Sequence, residues 1–145
     1  YNSEQYIMVI KWLVSLGDDN ALNDYLDAIK KNNIALLQDT FIPRFNYPDT
    51  KYLPQILELL QLTWDFQDSY NMWYSRLQET IKLMACQSKT QFQEVITALE
   101  KLVKSDSKYN DLNYFIGDLQ CNYGPQVAGA KPMTVREAIK IINNI

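Results

Sequence analysis

YLPQILELLQLTWDFQDSYNMWYSRLQETIKLMAC, from Tyr52 to Cys86, is the stretch whose reading decides the fold. At helical spacing, Ile56, Leu57, Leu60 and Trp64 make one apolar stripe, and Trp73, Leu77, Ile81 and Met84 make another. Between the stripes, Asp65-Phe66-Gln67-Asp68-Ser69 supplies two good N-cap types, Asp68 and Ser69. The pattern predicts two helices joined by a tight break, with one long kinked helix as the alternative. Pro54 falls in the first turn, where its missing N–H costs least. The pair reads as the centre of an all-α domain.

Working outward, residues 4–16 predict a helix with Ser3 as N-cap and Gly17 as the left-handed residue that ends it. Tyr6, Ile7, Val9, Ile10, Leu13, Val14 and Leu16 leave this helix only a narrow polar face, which fits a helix covered on more than one side. Asp18 or Asp19 caps a second helix, 20–31, whose stripe is Leu22, Tyr25, Leu26 and Ile29. Its Lys30-Lys31 end suits the negative pole of the helix dipole. Residues 34–40 predict a short helix. The two prolines of 41–50 then mark a connector anchored by Phe41, Phe45 and Tyr47.

Beyond the central pair, Ser88-x-x-Gln91 and Thr90-x-x-Gln93 compete to open a helix over 91–104. Ser105-Asp106-Ser107 turns the chain into a helix over 108–120, with Tyr109, Leu112, Phe115, Ile116 and Leu119 facing inward. Residues 1–120 thus form a helical-hairpin body, 121–133 a loop or linker, and 134–145 a terminal helix of the same domain. That last helix opens on Thr134-x-x-Glu137 and carries Val135, Ala138, Ile139, Ile141 and Ile142.

The chain also echoes itself. VIKWLVSL (9–16) lines up with VITALEKL (95–102), and NDYLDAI (23–29) matches NYFIGDL (113–119) more loosely. ILELL (56–60) and YSRLQETI (74–81) repeat the rhythm. Helix pairs recurring at about 40 to 47 residues resemble the spacing of HEAT and armadillo repeats. The expected fold is all-α, about seven to eight helices, with hairpins stacked as an irregular bundle or a short α-solenoid of that kind.

Composition excludes more chemistry than it suggests. The 145 residues include no histidine, which removes the usual general base, the Ser-His and Cys-His pairs and the commonest metal ligand. Cys86 and Cys121 stand 35 apart with no CxxC, so they build no zinc site. They read as two buried thiols, with a disulfide as the alternative. Fourteen basic against seventeen acidic residues disfavour nucleic-acid binding. Four glycines are few for a sheet protein. No apolar run reaches the ~20 residues of a membrane span. The chain opens at Tyr1 without a leader pattern, which reads as a fragment or a processed product. The reading favours a cytoplasmic location and leaves an extracellular one open.

Three constellations remain. Asp18, Asp19 and Asp24 form DDxxxxD, which resembles the aspartate-rich motif of prenyl-chain synthases. No second motif accompanies it, so helix capping is the better reading and no metal or cofactor is expected. Asp65 and Asp68 read as a cap and a solvated acid. The third is the aromatic set Trp64, Phe66, Tyr70, Trp73 and Tyr74. Trp and Tyr dominate interface hot spots because they bury a large area and keep a polar handle. These five are the candidate partner-binding residues, and filling the middle of the fold is their alternative role. The expectation is a non-enzymatic protein-interaction domain whose partner is another protein or peptide. The alternatives are a small-ligand protein or histidine-independent enzyme with a pocket between helices, and an accessory module of a parent chain.

Overall fold

A computed structural model describes residues 3–31, 42–66, 72–122 and 135–144. Every regular element among them is helical: α1 (Ser3–Ser15), α2 (Ala21–Lys31), α3 (Leu53–Thr63), α4 (Met72–Ala85), α5 (Lys89–Ser105), α6 (Leu112–Asn122) and α7 (Val135–Asn143). Short 3₁₀ turns sit at Thr50–Tyr52, Trp64–Phe66 and Ser107–Tyr109. The all-α class holds. The short helix expected at 34–40, Phe41, Asp68, Ser69, Tyr70, residues 123–133 of the expected loop and Thr134 lie outside the described residues. The chain divides into two compact units, Tyr1–Leu83 and Met84–Ile145, and the boundary falls inside α4.

The first unit begins with a helical hairpin whose turn is dictated by one glycine. Gly17 takes φ +77°, a region closed to most side chains. The Asp18 N–H then donates to the Leu13 carbonyl, and the Gly17 N–H to the Val14 carbonyl, both at 3.0 Å. This Schellman pair satisfies the carbonyls that the end of α1 leaves open. Asp18 opens the next helix at once: its Oδ1 accepts from the N–H groups of Asn20 (3.0 Å) and Ala21 (2.9 Å). The cap expected of Asp18 or Asp19 falls to Asp18. Helix α2 packs against both α1 and α3, burying Leu22, Tyr25, Leu26 and Ile29, the four positions its periodicity selects. Glu58 on α3 pairs with Lys30 on α2.

The proline-marked connector is pinned rather than draped. Phe45 and Tyr47 are buried, as expected of anchors. Phe45 meets Tyr25 edge-on, ring centroids 5.6 Å apart. The Tyr47 hydroxyl donates to the Asp18 carbonyl at 2.7 Å, Tyr52 donates to the Asp19 carboxylate, and the Thr80 hydroxyl on α4 donates to the Phe45 carbonyl at 2.8 Å. The connector also runs tight against the first turn: a Cβ at position 17 would stand 2.6 Å from the Asn46 carbonyl oxygen.

Of the two stripes that decide the fold, Ile56, Leu60 and Trp64 are buried with Leu57 half-buried, and Trp73, Leu77, Ile81 and Met84 are all buried. The break between them starts where expected. The α-helical pattern ends at Thr63, the chain tightens into the 3₁₀ turn, and α4 begins at Met72.

In the second unit, Ser88 wins the competition to cap α5. Its Oγ accepts from the Gln91 N–H at 3.1 Å, and the Gln91 side-chain amide donates to the Met84 carbonyl at 3.1 Å. Helix α6 starts later than periodicity suggests, at Leu112. Asp106 first caps the 3₁₀ turn by accepting from the Lys108 N–H at 3.0 Å. Tyr109, Leu112, Phe115, Ile116 and Leu119 are buried as expected. One expectation is corrected: Cys86 and Cys121 form no disulfide and both are exposed, not buried. Cys86 stands just past the last residue of α4. Cys121 lies two positions beyond buried Leu119, about 200° around the helix.

Candidate functional site

Helix α1 has two apolar sides, and only one is covered. On an α-helix at 100° per residue, Ile10 and Val14 share an arc; both are buried, on a helix that packs against α2. Tyr6, Val9, Trp12, Leu13 and Leu16 fall together on the adjoining arc of about 120°. All five are exposed, from 37% at Leu13 through 58% at Trp12 to 77% at Leu16. The stripe runs about 15 Å along the helix at 1.5 Å per residue. Contiguous apolar surface of this kind is uncommon on a monomer, whereas scattered single residues are ordinary.

The stripe carries no charge. The basic residue of α1, Lys11, is buried on the far side, and burial holds its ammonium pKa below the usual value. Asp18 and Asp19, both exposed, lie just past the helix end, next to the negative pole of the α1 dipole. An uncharged stripe with an exposed Trp near the middle of its length, and acidic residues just past one end, suits another apolar helix face.

The echo between residues 9–16 and 95–102 sharpens this. On α5, Val95, Leu99 and Leu102 are buried. Their counterparts on α1 are Val9, Leu13 and Leu16, all exposed. The face that α5 uses for packing is therefore the one that α1 leaves open. The reading of α1 as a helix covered on more than one side is corrected in this respect: among the described residues its second side has no cover.

The aromatic set divides. Trp73 is 5% exposed and Trp64 is buried with it. Tyr74 is half-buried and meets Trp64 edge-on, ring centroids 5.4 Å apart at 88°, a favoured aromatic geometry. Phe66 ends the 3₁₀ turn; its side chain, like all of Tyr70, lies outside the described residues. Among the described residues, the buried Trp73 Nε1–H has no hydrogen-bond partner. Trp64, Trp73 and Tyr74 are thus brought together, with Tyr74 as the member of the three that reaches solvent.

Trp12 lies outside the aromatic set that marks the candidate residues in the sequence. The signal was present in the helix itself, which has apolar residues on two adjacent arcs. The greater aromatic mass of Tyr52–Cys86 outweighs that signal in the sequence.

Two concavities accompany these surfaces. A cavity of ≈ 310 Å³ in the first unit is lined by Arg44, Phe45, Asn46, Glu79 and Thr80, among others. Its two opposite charges stand on exposed residues. A shallower trough runs along the outer side of α5, past Lys89, Glu94, Ala98 and Lys101. Asp18, Asp19 and Asp24 do not assemble as DDxxxxD ligands: Asp18 is a cap and Asp19 holds Tyr52. Among the described residues no three Asp, Glu or Cys gather where one ion could be held, and no helix is long and apolar enough to cross a membrane.

The chain matches no protein-family model, no curated protein and no solved structure.

Proposed function

We propose that the chain is a non-enzymatic protein-interaction domain that receives an apolar helix of its partner along α1. The single observation that carries this reading is the stripe Tyr6, Val9, Trp12, Leu13 and Leu16, exposed on a helix whose other apolar side is already packed. Placing a partner helix there removes apolar area from water, the dominant favourable term in association. A Trp near the middle of the stripe is the residue type most enriched at binding hot spots. Stacked hairpins, the finer form of the expected fold with its seven to eight helices, fit the same proposal, because a stack ends on an open packing face.

A second contact surface is supported by one observation, the half-buried Tyr74 against Trp64. In this version the buried Trp64 and Trp73 stiffen the surface from beneath.

The test is a display selection of helical peptides against the immobilised full chain. Affinities are then measured by fluorescence anisotropy for the parent chain and its variants. The expected outcome is a set of peptides whose Kd weakens at least about tenfold, or ~1.4 kcal/mol, for Trp12→Glu and for Leu16→Glu, with Tyr74→Ala unchanged. Loss with Tyr74→Ala alone moves the contact to the aromatic set. If no selected helix responds to either surface, the interaction reading fails.

A further inference from the structure

Resting on that reading, we propose that the helix received by the α1 stripe is α7 of a second copy of this chain. Three observations select it. First, α7 has its own uncovered apolar residues: Ile139 is 51% exposed and Ile142 66%. They lie about 60° apart on one arc. Second, that arc is edged by Arg136 and Lys140, both exposed, whereas the α1 stripe is uncharged and ends at exposed Asp18 and Asp19. Third, the nine residues of α7 extend about 14 Å, close to the length of the stripe.

The charges also fix the direction. An antiparallel seating brings the N-terminal turn of α7, with Arg136, to the C-terminal end of α1. There its basic side chain meets Asp18 and Asp19, and the two helix dipoles oppose. Ile139 and Ile142 then run back along the stripe toward Leu13 and Val9. A parallel seating carries Arg136 away from the acidic end. Each contact joins unlike surfaces, α7 of one copy and α1 of the other, and made twice about a two-fold axis the pairing is isologous. Two copies close it by exchanging α7 reciprocally, which leaves neither stripe open.

Sedimentation velocity on the full chain, up to several hundred micromolar, tests this directly. The expected result is a mass that rises from one copy toward two. Trp12→Glu and Ile142→Glu each return the chain to one copy. Both residues are exposed, and unchanged circular dichroism confirms the fold in each variant. Mixing the two variants restores association, because one supplies an intact α7 and the other an intact α1. Added salt and Arg136→Glu weaken it.

A mixture that stays monomeric while the parent chain associates overturns the α1–α7 pairing in favour of like-with-like contacts. A parent chain that is monomeric throughout also overturns it. If that monomer still binds selected helical peptides through Trp12, the interaction reading stands with another partner; if it binds none, both fall.

Discussion

Tyr25 carries its hydroxyl into the first unit's core with no hydrogen-bond partner among the described residues, whereas Tyr47 places its own on the Asp18 carbonyl. Burial raises both phenol pKa values above the ordinary one, and the nearby carboxylates of Asp18 and Asp19 add to the shift for Tyr47. Above pH ~10 the unfolded chain releases these protons and the folded chain keeps them, so folding stability falls as pH rises. Lys11 acts in the opposite sense. Its lowered pKa makes stability rise with pH between that value and the usual 10.5. Tyr25→Phe and Tyr47→Phe should each flatten the alkaline loss measured by urea melts across pH. At neutral pH the two variants separate. Tyr25→Phe removes an unpaired polar atom and is neutral or stabilising by about 1 kcal/mol, while Tyr47→Phe loses a made bond and costs about 1 kcal/mol. Gly17→Ala combines a left-handed backbone with a contact to the Asn46 carbonyl, and should cost about 2 kcal/mol.

Among the elements, the capping of α5 gives a clean comparison. Ser88→Ala should lower stability by about 1 kcal/mol, whereas Thr90→Ala, inside the helix and exposed, should leave it unchanged or raise it by a few tenths, because Ala is the better helix former. Equal effects in thermal melts would mean that both caps are used. The tryptophans offer a second comparison. Trp73→Ala empties a buried site and should cost roughly 3–5 kcal/mol, whereas Trp12→Glu on the open arc should leave the melting midpoint nearly unchanged. Helix positions were legible because each stripe is a local, 3.6-residue pattern: Leu22, Tyr25, Leu26 and Ile29 need no tertiary information to be placed on one face. Helix starts were less so. Ser88 and Thr90 are both competent caps, and the delay of α6 to Leu112 depends on Asp106 taking up a 3₁₀ turn first.

For the whole chain, fold class was readable while the coverage of each apolar face was not. Val9, Leu13 and Leu16 are written in the same alphabet as Val95, Leu99 and Leu102. Whether such a face is buried depends on which helix arrives from elsewhere in the sequence or from another molecule. The same limit explains the cysteines, whose apolar neighbours face inward while they do not. Both thiols should therefore react with Ellman's reagent in the folded chain without denaturant, and a reductant should leave the melting midpoint unchanged. A midpoint that drops on reduction would require a disulfide between Cys86 and Cys121.

The pinned connector has a consequence for how fast the chain reaches this state. Its three clamps join residues 29, 33 and 35 positions apart, so each requires a long loop to close before it contributes. The hairpin turn at Gly17, by contrast, closes within a few residues. Loop-closure entropy places such distant contacts late in folding. Tyr47→Phe and Thr80→Val should then accelerate unfolding while hardly slowing refolding, the kinetic mark of a lock that engages after the helices have met.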